Sequence, residues 1–139
     1  MPAGSGARST AEKLLIKPGV RLWVEPIELL RALGPLPAGV LPSADLPSAG
    51  VAVLFFGHST DLRLFIGRHP TALLHPPVLW ICYPKGGASD LTRDTLWPML
   101  AAHHLRPVAQ IAIDATWSAL RFRPLRPGEP PFRGTVVDG

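Results

Sequence analysis

Two stretches of the chain, Val51 to Phe56 and Val78 to Tyr83, are apolar at every position. Strand side chains alternate between the faces of a sheet, so a strand apolar throughout is covered on both, as central parallel strands are. Elsewhere the spacing is helical. Leu62, Phe65 and Ile66 predict a helix after Gly57-His58, capped by Ser59 or Thr60 and ended or kinked by Pro70. Leu96, Trp97, Leu100 and Ala101 form the buried stripe of another, started by Asp90 or Thr92 and bent by Pro98. Earlier in the chain, Val20 to Val24 reads as a short strand. Pro26 then opens a helix that turns Ile27, Leu30 and Leu33 inward until Gly34-Pro35 stops it. From Pro35 to Gly50 the chain is rich in Pro, Gly, Ser and Ala, which predicts a long loop with a stub of strand near Val40-Leu41. Residues 107–114 and 117–123 read as strands, and the short join at Ala115-Thr116 makes them an antiparallel pair. The last strand is expected at the sheet edge, where its arginines discourage pairing with other chains.

Strands alternating with helices predict an α/β domain with a three-layer, mostly parallel sheet and a C-terminal antiparallel hairpin. The domain is expected over residues 13–123, after a disordered tail (1–12) and before an irregular Pro/Gly-rich one (124–139). A length of 139 residues suits a single core. No apolar run approaches the roughly 20 residues of a membrane helix. The first ten residues lack the apolar segment of a secretion signal, so a cytoplasmic chain is expected.

Composition narrows the classes further. Apolar residues make up 47% and charged ones 17%, too apolar a balance for a disordered chain. Cys82 is the sole cysteine, so no internal disulfide forms, and its apolar setting predicts a buried, inert thiol. The net charge of +4 is spread evenly: residues 1–70 and 71–139 each hold seven basic and five acidic side chains. With no basic block, a nucleic-acid partner is not expected, although Arg121, Arg123, Arg126 and Arg133 offer a small stripe. His103-His104 project about 100° apart on a helix and make a poor metal pair. No metal is expected.

Three segments carry a resemblance. Residues 79–85 (LWICYPK), 90–97 (DLTRDTLW) and 113–123 (IDATWSALRFR) resemble the bacterial family catalogued as domain of unknown function 3052. The likeness covers roughly residues 12–125 and implies a shape without an activity. The order of elements is also similar to a shortened Rossmann-type methyltransferase, whose last strands form an antiparallel hairpin at the sheet edge. Such enzymes hold S-adenosylmethionine with a glycine-rich turn after the first strand and an acidic residue ending the second. Here the first strand runs into Val24-Glu25-Pro26-Ile27-Glu28 without a glycine, and the loop 35–50 stands where the second and third strand–helix units would be. Side chains then fill the space where a cofactor needs close backbone approach. The resemblance therefore implies a pruned relative that has lost the cofactor.

Ligands of open parallel sheets bind at the carboxyl ends of the strands. Following each strand there collects Glu25, His58 with Ser59, Tyr83 with Lys85, Asp114 and Trp117. The sharpest candidate is Tyr83, Lys85, Gly86 and Gly87, where two glycines can turn N–H groups toward one point beside a cation. Asp114 and Trp117 complete the candidate ligand site. The spacing is not that of a Walker loop, and Ser59 lacks the glycine-flanked elbow of a nucleophile. A structural reading stands beside each: a plain glycine turn, an Asp114 that caps the hairpin under Trp117, and a Ser59 that caps a helix. Acids and bases at 90–94 suit a helix start. The reading these residues favour is a non-catalytic binding or interaction domain for a small anion or an acidic partner segment, with homodimerisation open. An enzyme using Lys85 and Asp114 on an anionic metabolite is the alternative, and it requires an enclosed pocket between them.

Overall fold

Helices pack on both faces of a six-stranded sheet whose order is β2-β1-β3-β4-β6-β5. The computed structural model describes residues 8–133. The strands are β1 (Arg21–Glu25), β2 (Leu41–Pro42), β3 (Val51–Phe55), β4 (Val78–Pro84), β5 (Leu105–Ala112) and β6 (Trp117–Pro124). β2, β1, β3 and β4 pair in parallel, whereas β6 is antiparallel to both β4 and β5. The fold is therefore the expected three-layer, mostly parallel α/β sheet with an antiparallel C-terminal part.

Alternation along the central strands creates two cores. Ala52, Leu54, Leu79, Ile81, Tyr83, Leu120 and Phe122 face one way, toward Leu62, Phe65 and Ile66 of α2 (Ser59–Arg68) and Leu96 and Leu100 of α3 (Arg93–Ala101). Val51, Val53, Phe55, Trp80, Cys82 and Ala119 face the other way, toward Leu14 and Ile16 and the Ile27–Leu33 3-10 helix. Trp80 ties the layers together by donating its indole N–H to the Leu14 carbonyl at 2.9 Å.

Four expectations are corrected. Part of the tail expected to be disordered is helical: Ser9 and Glu12 form a reciprocal capping box that starts α1 (Thr10–Lys13). Residues 1–7 and 134–139 lie outside the described residues. Pro26 is the cap of a 3-10 helix rather than its first residue, and Ile27, 62% exposed, does not face the core. The tighter 3-10 winding moves it off the face that an α-helical spacing assigns it. Ser59 does not cap its own helix, because His58 holds that position and the Ser59 hydroxyl turns to Asp90. Finally, β6 is an interior strand, and β5 forms the edge. A hairpin fixes which strands pair, but which of its arms meets the rest of the sheet depends on burial: Ala119, Leu120 and Phe122 are buried, whereas Val108 to Gln110 are exposed. The edge is defended differently than expected, by Pro107 and a register shift at 107–109.

Among the described residues beyond β6 there is no helix or strand, yet the segment is anchored. Glu129 accepts hydrogen bonds from Arg106 at 2.6 Å and Arg123 at 2.8 and 2.9 Å, and from the Arg126 N–H. These donors hold its carboxyl well below the usual carboxylate range, with Arg123 the largest cause. A lowered native pKa stabilises the fold above the ordinary carboxylate range, and that contribution is lost as pH falls through it toward the native value. We expect acid to loosen residues 125–133 before the sheet melts, read as falling hydrogen-exchange protection, relative to the intrinsic rate at each pH, at Leu125 and Glu129 as pH drops below about 4.5. Glu129→Gln should show the loosened state already at neutral pH; equal exchange in both proteins would refute the anchor.

Among the described residues no helix is long and apolar enough to cross a membrane, and no group of three or more His, Cys, Asp or Glu side chains gathers as for a metal ion.

Candidate functional site

The carboxyl ends of the parallel strands do come together, and their polar groups are already bonded to one another. Lys85 and Gly86-Gly87 follow β4. Lys85 donates its N–H to the Thr116 carbonyl at 2.9 Å, which ties this loop to the start of β6. Gly86 and Gly87 have φ of +68° and +71°, and Ala88 N–H returns to the Lys85 carbonyl at 3.3 Å. Positive φ at both central positions of a four-residue turn is the demand that glycine meets without strain. Both glycines are exposed, and neither has anything near the place a Cβ would occupy. The loop is therefore a projecting turn rather than a walled cradle.

Asp114 closes the β5–β6 hairpin. One carboxylate oxygen accepts the Thr116 and Trp117 N–H groups at 2.8 and 2.9 Å. Trp117 stands edge-on to Phe55, ring centroids 5.1 Å apart, on the face that buries Cys82. Burial pushes the Cys82 thiol well up, and the charge of Asp114 adds to the rise, which keeps the thiol protonated and unreactive.

Two further rim acids are spent in the same way. Glu25 accepts the Trp23 indole N–H at 3.1 Å. Asp90 reaches across from the loop before α3 and accepts both the N–H (3.0 Å) and the hydroxyl of Ser59, at the first residue of α2. A carboxylate suits that end of a helix, where unpaired N–H groups carry partial positive charge. Ser59 holds the carboxyl of Asp90 below its ordinary range. Thr92 and Thr95 in turn form the reciprocal cap of α3.

Tyr83, grouped with Lys85 by its place in sequence, belongs to a different site. It lies on the opposite face of the sheet from Trp117, 5% exposed, and its hydroxyl accepts from the Gln110 amide at 2.8 Å. Burial pushes the phenol up; Ser118, Arg93 and Gln110 draw it partly back, and Asp94 adds to the rise. This cluster borders a cleft of about 440 Å³ between α3, the β5–β6 pair and the C-terminal segment, lined among others by Arg93, Asp94, Trp97, Leu120 and Phe132. Sequence reasoning assigned Arg93 and Asp94 to a helix start and Trp97 to the core. Arg93 and Asp94 are exposed, and Trp97 is half-buried. The missed signal was a basic residue in a helix's first turn, four residues before a tryptophan.

The fold defined by these elements is a Rossmann-like α/β sheet. It is similar to a solved protein of the NADB-Rossmann superfamily from Streptococcus agalactiae, with a TM-score of 0.51 and 14% identity over 85% of this chain and 68% of that one. At that identity the likeness is one of fold. No protein-family profile matches the chain, and no curated protein does.

Proposed function

We propose that the chain is a small non-catalytic binding or interaction domain, a pruned methyltransferase-like fold that works without S-adenosylmethionine. One observation carries the reading: Glu25, Asp90 and Asp114, carboxylates around the strand ends, are all taken by donors of the chain itself. A cofactor ribose or a substrate would compete with these donors for the same carboxylates. The strand order, with a reversed β6 beside β4, supports the methyltransferase-like part. The crossover after β1 enters its helix through Pro26 without a glycine, which supports the cofactor-free part of the reading. The rim offers partners the exposed Gly86-Gly87 turn with Lys85 beside it, a contact for a small anion or an acidic segment of another protein.

The enzyme reading with Asp114 as base is less favoured, because one of its oxygens accepts two N–H bonds and fixes the carboxylate as the cap of the hairpin. A nucleic-acid stripe is weakened by Glu129, which neutralises Arg123.

Thermal unfolding with saturating S-adenosylmethionine tests the reading. Ligand at a hundred times its Kd stabilises by about 2.7 kcal/mol, several degrees for a domain of this size. No shift is expected. A shift of that size would overturn the cofactor-free reading, most directly if Glu25→Ala abolished it.

A further inference from the structure

We propose that the cleft between α3, the β5–β6 pair and Phe132 binds a small organic anion with a flat apolar body, Arg93 taking its charge and Trp97 packing its ring. This site is separate from the rim and does not depend on how the rim is used.

The volume is the first argument. About 440 Å³ falls within the range of small-molecule sites. A second hollow of about 320 Å³ shares Arg93, Pro107, Leu120 and Phe132 with it and extends the space along β5.

The charge is the second. Arg93 is the first residue of α3, at the end of the helix where a cation is electrostatically misplaced. Among the described residues it makes no ion pair. Adjacent residues on a helix do not face each other, so Asp94 does not neutralise it by position. With Arg133 and Asp94 also on the lining, the cleft holds one cation in excess. A guanidinium held against the helix dipole without an internal partner is a cost to folding that an incoming anion removes, and its planar fork suits a carboxylate or phosphate.

Shape is the third. Arg93 and Trp97 are four apart and share a helix face. Trp97 meets Phe132 edge-on with centroids 5.0 Å apart, and Leu120, 3% exposed, forms an apolar floor. Arg106 stacks 5.4 Å from the centre of the Phe132 ring, which helps fix that wall in place. A cation lining the same cleft as an edge-to-face aromatic pair suits a ring that carries a negative group. Gln110, whose amide is held by Tyr83, lines the extension and offers a polar contact at its far end.

The test is an amide and indole NMR titration of the whole chain with 2-naphthoate. Neutral 2-naphthalenemethanol and inorganic phosphate serve as comparators lacking the charge or the ring. 2-Naphthoate should shift the Trp97 indole N–H and the Gln110 side-chain amide, and bind at least tenfold more tightly than either comparator. Arg93→Gln should weaken it about tenfold; unshifted amides of β3 in that variant check that the fold is intact. Phe132→Leu should weaken both ring-bearing probes together. Equal affinity for the alcohol, full affinity in Arg93→Gln, or shifts confined to the Gly86-Gly87 turn would each overturn the assignment.

Discussion

Trp80→Ala is expected to destabilise the protein by about 3–5 kcal/mol, the range for truncating a buried aromatic. Trp80 is 1% exposed in the centre of β4, so the lost volume cannot be refilled by solvent or by a mobile neighbour. The change also removes the indole donor that satisfies the Leu14 carbonyl, in a residue with no exposure. A buried acceptor without a partner costs about 1–3 kcal/mol by itself. Trp80→Phe separates the two effects: it keeps most of the ring volume and loses the donor. Urea unfolding should rank wild type above Trp80→Phe above Trp80→Ala. Total stability for a domain of this size is about 5–15 kcal/mol, so the alanine variant should be partly unfolded near physiological temperature. A loss below about 1 kcal/mol would mean that α1 does not dock as described.

Phe122→Ala is expected to cost about 3–5 kcal/mol as well, for a different reason. Its strand lies between β4 and β5, with Leu79 opposite on one side and Pro107 on the other. The ring is 1% exposed within the core that faces α2 and α3. At an edge the same residue would keep one flank in water and lose far less. Val108→Ala, on the irregular part of β5 and 43% exposed, is the corresponding edge truncation and should cost about 1 kcal/mol or less. Comparable losses at the two positions, read from urea midpoints at constant slope, would contradict the strand order.

These contrasts also mark what could be read from the residues. β3 and β4 were legible because an unbroken apolar run has one common explanation, cover on both faces, and both strands are buried almost throughout. The α2 and α3 stripes followed from spacing in the same way. Strand order was not legible, since alternation identifies a strand without naming its neighbours. The β6 pattern of buried Ala119, Leu120 and Phe122 was a usable hint: three buried positions in four suit an interior strand better than an edge. At the site, the turn at Gly86-Gly87 and the capping by Asp114 were both anticipated as structural readings and occur as such. Tyr83 was misplaced because proximity in sequence outweighed parity: Tyr83 shares a face with Leu79 and Ile81, and that face turns away from Trp117. Phe132 gave no signal, because one aromatic among prolines has no period from which to infer a partner.

The ladder between β5 and β6 sets Arg106 directly opposite Arg123, two like charges facing each other at the very start of one strand and the end of the other. Among the described residues, only the side chain of Glu129, six residues past Arg123, reconciles them. A fragment cut after Pro124 would keep every described strand and helix and yet carry mutual repulsion at its outer hairpin. The unit that must be inherited, expressed or transplanted as a whole therefore extends at least five residues beyond the last strand.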